Sequence, residues 1–201
     1  MKNNILLSVL IVLISFTTIS CNKTKKAANA KYSIETKTTT VNWTAYKTTA
    51  KIPVSGVFNT INVTKSGAGE KPSDVFNGLE FNIPVNSINS KKADRDAKIV
   101  TSFFGAMADT KVLKGKMTLG EKGKGFIDLT MNGITAKLPM TYILSGQLAE
   151  FNATMDLNNW KAKLAIDALN KVCKDKHKGE DGISKTWDEV AIHIVSYLKV
   201  E

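Results

Sequence analysis

The sequence has few cysteines and histidines and only one hydrophobic run. Its 201 residues include two cysteines and two histidines, too few for a disulfide-stapled scaffold or for a zinc site built from several Cys and His ligands. The hydrophobic run, Ile5–Phe16, has twelve mostly apolar residues, whereas a membrane-spanning helix needs about 20. These shortages exclude a polytopic membrane protein and indicate a chain stabilised by an ordinary hydrophobic core.

Charged residues are plentiful but scattered. The 28 lysines and arginines outnumber the 18 acidic residues, which gives a formal net charge of +10. With 43% hydrophobic and 23% charged residues, the composition is that of a globular protein and excludes a disordered chain. The lysines form no basic-aromatic motif, so we expect no nucleic-acid partner. We interpret them as a solvated surface with some attraction to anionic lipid.

The sequence contains no recognisable catalytic or metal-binding motif. Cys173 and His177 have the spacing of a metal pair on a helix, but Cys173 completes an apolar stripe and lysines crowd the segment. A buried structural thiol is the better interpretation. The glycine-rich segment Gly120–Gly125 lacks the strand-loop-helix setting of a phosphate loop and is typical of a hairpin. We therefore predict a protein that is not an enzyme and has no metal or cofactor.

The first thirty residues predict export. A charged start, the short apolar run and small residues before Cys21 have the order of a secretory signal. Thr18-Ile19-Ser20-Cys21 resembles a bacterial lipobox, with threonine where leucine is usual; a plain signal peptide cut nearby is the alternative. We expect residues 1–20 to be a signal peptide and residues 21–30 to be a lipidated cysteine and tether. Because Asn22 is not aspartate, we expect an outer-membrane lipoprotein of the bacterial cell envelope, facing the periplasm.

From residue 31 onwards the chain alternates between apolar and polar residues, which is the signal of half-buried strands. The clearest example is Gly78–Ser87, and the other runs are Thr40–Lys47, 113–119, 127–131, 136–144, 149–157 and 190–200, with Val54–Val63 and Lys31–Thr36 less regular. Asn132-Gly133, between two of these runs, is the strongest short hairpin signal. We count about nine strands joined by tight turns, which predicts one domain, residues 31–201, whose antiparallel sheet closes on itself.

Two segments have helical spacing instead. Lys91–Phe104 and Asn158–Lys174 each place apolar residues on a single helical face. Ser90 can cap the first helix, and Asn158 or Asn159 can cap the second. Each helix interrupts the strands once and could cover an end or a seam of the barrel.

Large apolar side chains recur on the inward faces of the predicted strands. They are Phe81, Met117, Met131, Met140, Tyr142, Phe151 and Met155. An eight-stranded closed sheet is wide enough either to be filled by side chains or to hold one small ligand, and both interpretations stay open from the pattern alone. Met140, Tyr142, Phe151 and Met155 lie on two strands joined by the Ser145–Gln147 turn, so we expect them to form one wall.

Several short motifs, in their order along the chain, resemble the YceI-like polyisoprenoid-binding family. They are Tyr32-Ser33-Ile34, Val41-Asn42-Trp43, Gly56-Val57-Phe58, Ile83-Pro84-Val85-Asn86-Ser87-Ile88, Arg95-Asp96, Phe103-Phe104 and the hairpin 128–135. The sequence departs from the family at Ala97-Lys98, where His-Leu is frequent. The C-terminal half resembles a Bacteroidetes-type lipoprotein branch.

The resemblance implies a lipocalin-like antiparallel β-barrel of about eight strands with two peripheral helices. It also implies binding or transport of an isoprenoid or other long-chain apolar lipid by a membrane-anchored protein; a structural lipoprotein with a filled barrel is the alternative. Arg95 and Asp96 would make either a polar ligand contact or a structural salt bridge. The expected ligand-binding residues are Trp43, Phe81, Ile83, Met117, Met140, Tyr142, Phe151 and Met155.

Overall fold

The computed structural model describes residues 31–201, which form a strongly curled antiparallel sheet. Its strand segments are β1 (Tyr32–Lys47), β2 (Ile52–Phe58), β3 (Asn62–Lys65), β4 (Glu80–Pro84), β5 (Ile88–Asn89), β6 (Val112–Leu119), β7 (Lys124–Met131), β8 (Ile134–Ser145), β9 (Leu148–Asp156) and β10 (Thr186–Val200). Across the sheet they run β3-β4-β6-β7-β8-β9-β10-β1-β2-β5. The predicted fold class, a mainly β lipocalin-like barrel, is confirmed. The expected signal peptide, Cys21 and tether lie outside the described residues.

The ten segments amount to eight strands because two strands are interrupted. β2 pairs with β5 through Phe58 opposite Ile88, and β3 pairs with β4 through Val63 opposite Phe81. Residues 59–61 join β2 to β3, and a 3₁₀ turn, Val85–Ser87, joins β4 to β5. Both pairs therefore belong to one long hairpin. Since β2 also bonds to β1 and β4 also bonds to β6, this hairpin completes the curl of the sheet.

The tight turn between β7 and β8 is made by Asn132 and Gly133, as the dipeptide predicts. Both residues have positive φ, 54° and 68°, a conformation that glycine adopts without strain and asparagine tolerates. The Asn132 side chain accepts a hydrogen bond from the Ala108 amide and donates one to the Trp160 carbonyl, both at 2.8 Å. The turn thereby holds two loop segments against the rim of the barrel.

Three short helices cover the two ends of the barrel. α1 (Pro72–Phe76) lies at the end where β1 begins and packs Phe76 against Phe151, with ring centroids 4.9 Å apart. α2 (Ala93–Lys98) and α3 (Lys163–Val172) lie at the opposite end, where β1 finishes and β10 starts. We refer to these ends as the α1 end and the α2–α3 end.

The two predicted helices exist, but both are shorter than expected. The segment Lys91–Phe104 has α-helical hydrogen bonds only through α2; a π-helical turn, Ile99–Phe103, and a 3₁₀ turn, Phe104–Ala106, follow. In the segment Asn158–Lys174 the backbone of Lys161 takes a left-handed conformation, with φ of 52°, so α3 begins only after Ala162. The expected caps, Asn158 and Asn159, therefore do not cap α3. Two 3₁₀ turns flank α3, Leu157–Trp160 and Lys174–His177.

The hydrophobic core lies inside the barrel and continues beneath α3. Trp160 is fully buried there, and its indole nitrogen donates a 2.8 Å hydrogen bond to the Leu129 carbonyl. Ala162 and Ala165 are buried where α3 packs against β10 and the segment that follows α2. Within residues 31–201, no helix combines the length and the apolar character needed to cross a membrane.

Candidate functional site

An apolar cavity of about 160 Å³ runs between the inward faces of the strands. Its lining extends from Phe76 at the α1 end to Leu169 at the α2–α3 end. Along β10 alone the lining runs from Thr186 to Ser196, ten residue steps or about 33 Å of extended strand. A small volume spread over that length describes a slender cleft rather than a round pocket.

The polar side chains of the cavity wall have hydrogen-bond partners within the protein. Tryptophans aside, the polar side chains in the lining are Thr39, Ser196 and Thr186. The hydroxyls of Thr39 and Ser196 bond to each other at 2.7 Å. The hydroxyl of Thr186 lies 2.7 Å from His177 Nδ1 and donates to Asn170 Oδ1 at 2.9 Å. The wall therefore presents hydrocarbon and aromatic surface to an occupant, without a free nucleophile and base in contact.

Six of the eight residues expected to bind ligand line this cavity. All six are buried side chains, and they come from β1, β4, β6 and β9: Trp43, Phe81, Ile83, Met117, Phe151 and Met155. The strand alternation predicted their inward direction, and the curl of the sheet brings the four strands around one space.

Met140 and Tyr142 do not line the cavity, so the expected four-residue wall is corrected to Phe151 and Met155. Met140 is buried, but it packs over Gly125, the residue opposite it on β7, and fills the space that a larger side chain would take. The Tyr142 hydroxyl donates a 2.6 Å hydrogen bond to the Gly120 carbonyl. This bond holds the ring near the β6–β7 hairpin, at the rim of the barrel.

Two aromatic rings reach the cavity because glycines lie beneath them. Trp43 is opposite Gly56 on β2, and Phe81 is opposite Gly115 on β6. A Cβ atom at either glycine would overlap the facing ring. The Trp43 indole also donates to the Val57 carbonyl at 3.3 Å. Each glycine thus lets a large ring lie flat on the neighbouring strand and form part of the wall.

The sequence pattern does not identify all the residues that line the cavity. The α2–α3 end is closed by residues of the helical segments, notably Ile99, Phe103, Ile166 and Leu169. Aliphatic residues on the long strands complete the wall: Val41, Val190, Ile192 and Ile194. The alternation places the strand residues on the apolar face, but nothing local distinguishes a β-branched core residue from a cavity residue.

Arg95 and Asp96 have different surroundings although they are adjacent. Asp96 accepts hydrogen bonds from the Ser90 amide at 2.9 Å and the Ser90 hydroxyl at 2.5 Å, which ties α2 to the end of β5. Arg95 is half-buried and lines a second, polar pocket that adjoins the cavity at the α2–α3 end. Among the described residues, neither forms an ion pair, so the expected salt bridge is replaced by the Ser90–Asp96 hydrogen bonds.

Cys173 and His177 are held within the same end of the molecule. The Cys173 thiol is free and buried, as predicted. Burial, together with the positive charges of Lys47 and Arg95, lowers the pKa of His177 to about 4. The imidazole is therefore neutral at neutral pH. In the part of the chain that the structure describes, no three His, Cys, Asp or Glu side chains are grouped as metal ligands would be.

Comparison with known proteins extends these observations. The model of the YceI-like domain family matches residues 32–196. No significant match was found among curated proteins. Similar solved structures include a polyisoprenoid binding domain from Saccharophagus degradans implicated in plant cell wall breakdown, with TM-score 0.60, 10% identity, and 86% of this chain and 99% of that chain covered. They also include Burkholderia cenocepacia BcnA, with TM-score 0.54, 14% identity, and 83% and 99% covered.

A YceI protein from Campylobacter jejuni has TM-score 0.50 and 16% identity, with 74% of this chain and 85% of that chain covered. At these identities the likeness establishes the fold, in agreement with the curled sheet and its helical ends. The family model covers most of the chain, from the start of β1 to near the end of β10. The chain therefore belongs to the YceI-like domain family.

Proposed function

We propose that this protein binds a long, slender apolar lipid of the isoprenoid type inside its barrel and does not act as a catalyst. The observation that carries the proposal is the apolar cleft, which follows the barrel between α1 and the α2–α3 end. Every CH₂ group that a lipid chain buries there contributes about 0.8 kcal/mol. The name of the Saccharophagus degradans domain, a polyisoprenoid binding domain, supports the same ligand class.

A filled barrel without a ligand is the second candidate, and the cavity volume favours it. A cavity of about 160 Å³ is smaller than the 300–1,000 Å³ that is usual for ligand pockets. The lining, however, includes Met117, Met131 and Met155, whose unbranched side chains adapt to irregular occupants. Rotation of these side chains would widen the cleft for a thin chain, so we favour lipid binding.

The test is whether the purified protein retains lipid. The protein is purified without detergent, extracted with organic solvent, and the extract is examined by mass spectrometry beside a native mass spectrum of the protein. We expect a stoichiometric long-chain apolar compound. If the native protein carries no added mass and takes up no isoprenoid alcohol in reconstitution, the barrel is filled and the proposal fails.

We further propose that a lipid on Cys21 anchors the protein in the outer membrane of a bacterial cell envelope, facing the periplasm. Support comes from the order of charged, apolar and small residues before Cys21. A Cys21→Ser variant should lose its acyl mass and move from the membrane fraction to the soluble fraction. Wild-type protein that is soluble and carries no acyl groups would contradict the anchor.

A further inference from the structure

Two large apolar side chains are exposed on the outer face of the sheet near the α1 end. Ile143 on β8 is 64% exposed and Tyr197 on β10 is 53% exposed. Both point outwards, because their strand neighbours Leu144 and Leu198 pack into the core and successive side chains of a strand point to opposite faces. Neither ring nor aliphatic chain is therefore part of the barrel interior.

The strand register joins these side chains into one patch. Tyr197 lies opposite Leu148 on β9, and Ile143 and Val195 both lie opposite Glu150, two residues further along that strand. Side chains in two such rows are direct or diagonal neighbours on one face of a sheet. Leu148 and Val195 are half-buried. We call Ile143, Leu148, Val195 and Tyr197 the outer apolar patch.

The patch is confined to the α1 end. The next row of outward residues towards the α2–α3 end is polar, with Thr141, Asn152 and His193 side by side. The other exposed large apolar residues of the described chain come from several elements: Ile52 from β2, Leu164 and Val172 from α3, Ile183 from the loop before β10, and Val200 from the end of β10. Adjoining apolar side chains on an outer sheet face mark a contact surface more clearly than dispersed ones do.

The charges around the patch cancel. The patch strands from residue 141 onwards on β8, from 148 to 152 on β9 and from 193 to the end of the chain, together with residues 31–38 beside them, carry three lysines and three glutamates: Lys31, Lys37, Lys199, Glu35, Glu150 and Glu201. Glu150 lies within the patch itself. Because burying a carboxylate in hydrocarbon is costly, the patch suits the headgroup region of a bilayer rather than its core.

The described chain begins at the same end of the barrel. Lys31 and Glu201 exchange two backbone hydrogen bonds of 3.1 Å there. Residues 22–30 separate Lys31 from Cys21, and an extended chain covers at most about 3.6 Å per residue, so an acyl anchor on Cys21 lies within about 36 Å of Lys31. The α2–α3 end is farther away, because β10 alone extends fourteen residue steps, about 46 Å, from Val200 to Thr186. The tether therefore holds the α1 end nearest to the bilayer.

We infer that the outer apolar patch docks on the surface of the bilayer that holds the Cys21 anchor. This inference rests on the proposed anchor and adds an orientation to it. Tyrosine is favoured at the bilayer interface, where its ring is buried and its hydroxyl stays in the headgroup region. A small patch is sufficient because the tether keeps it at a high effective concentration next to the bilayer. The contact tilts the barrel so that its α1 end touches the bilayer and its α2–α3 end does not.

The test measures which end of the anchored protein touches the bilayer. Full-length lipidated protein is reconstituted in phosphatidylcholine vesicles that carry a nitroxide quencher on the headgroup. A fluorophore is attached either to Ser145→Cys, beside the patch, or to Lys171→Cys, on exposed α3 surface. Cys173 is buried and Cys21 is acylated, so the label is specific. We expect the label at 145 to be quenched and the label at 171 to keep its intensity.

Variants identify the side chains responsible. Ile143→Ser combined with Tyr197→Ser should remove most of the quenching at position 145. The matched control, Leu164→Ser combined with Val172→Ser, removes two exposed apolar side chains from α3 and should keep it; Leu164, at 76%, is more exposed than either patch residue. Because all four side chains are exposed, Tm should change little in either variant.

The outcomes separate docking from anchoring. Equal quenching of the two labels, stronger quenching at 171, or quenching at 145 that survives the Ile143/Tyr197 double variant overturns the docking and leaves the anchor intact, provided that the protein floats with the vesicles and carries acyl mass. Protein that carries no acyl mass and does not float overturns the anchor and the docking together. Quenching at 145 that disappears in about 0.5 M NaCl, where exposed charges are screened, would mean an electrostatic contact and would also overturn the inference.

Discussion

Ala45→Phe should narrow the apolar cavity at the α2–α3 end, where the second pocket adjoins it. Ala45 lies on β1 and lines both spaces, so a ring attached there points into the path of a lipid tail. A phenyl ring is about the size of the benzene that a cavity of about 150 Å³ holds, and the cavity here measures about 160 Å³. Since that volume is spread along the cleft, the added ring would block the cleft at this end.

The expected effect on binding depends on how much of the lipid tail the ring displaces. If the ring displaces about five CH₂-sized groups at about 0.8 kcal/mol each, binding weakens by about 4 kcal/mol, or about a thousandfold. The delipidated protein should keep its stability, because the ring fills existing space. In a filled barrel the same substitution would cost about 1–3 kcal/mol and lower Tm by several degrees.

Ala191→Phe is the matched control. Ala191 lies on β10, faces a shallow outer groove, and receives the same added ring without approaching the cavity. Lipid content is measured by solvent extraction and mass spectrometry, and Tm is measured on delipidated samples so that ligand loss does not shift it. If Ala45→Phe keeps the lipid content of the wild type, the cavity is not the ligand site. If Tm falls clearly in Ala45→Phe but not in Ala191→Phe, the barrel is filled rather than hollow.

Three further predictions concern the α2–α3 end. Asp96→Ala should destabilise the protein by about 1–3 kcal/mol in urea titration, because it leaves the amide and hydroxyl of buried Ser90 without an acceptor. The control Asp94→Ala, at an exposed position, should change stability by about 0.5 kcal/mol or less. Equal effects of the two substitutions would contradict the role of Asp96 in holding Ser90. Cys173 should react with a polar thiol reagent slowly when folded and fast in urea, and fast labelling of the folded protein would show that it is not buried. Because the pKa of His177 in the folded protein is lowered to about 4, the unfolded chain binds more protons than the folded one between pH 6.5 and 4, so the free energy of unfolding should fall as the pH is lowered through this window. His177→Gln should lose this part of the pH dependence. Parallel pH profiles of stability for the wild type and the variant would refute the role of His177.

The strands could be predicted because one face of each is buried. In β4 and β8 the alternation of apolar and polar residues is regular, and Asn132-Gly133 marks the turn between β7 and β8. The pattern does not predict α1, because a helix of five residues, Pro72–Phe76, is too short to show a period. The helix boundaries cannot be read accurately either, because the break at Lys161 depends on a single backbone conformation.

The site could be predicted only in part. The alternation of apolar and polar residues shows which way a side chain points but not which residues face it. The pattern therefore places Met140 on the cavity wall, whereas in the structure Met140 packs over Gly125 as part of the ordinary core. The second pocket, at the α2–α3 end, is assembled from residues far apart in the chain. Lys47 and Lys176, which bond through the Lys176 carbonyl, are separated by 129 positions. No local pattern signals that arrangement.

The pairing of β1 with β10 has a consequence for how the protein is made. This seam is long, from Tyr32 opposite Val200 to Lys47 opposite Thr186, and it joins the first described strand to the last. Its contacts are therefore among the least local that the chain can form, and such contacts slow folding. A chain emerging from a ribosome or an export channel, N-terminus first, must wait for its final strand before the barrel can close. Until then the edges of β1 and β9 that pair with β10 stay open, and unpaired strand edges favour aggregation.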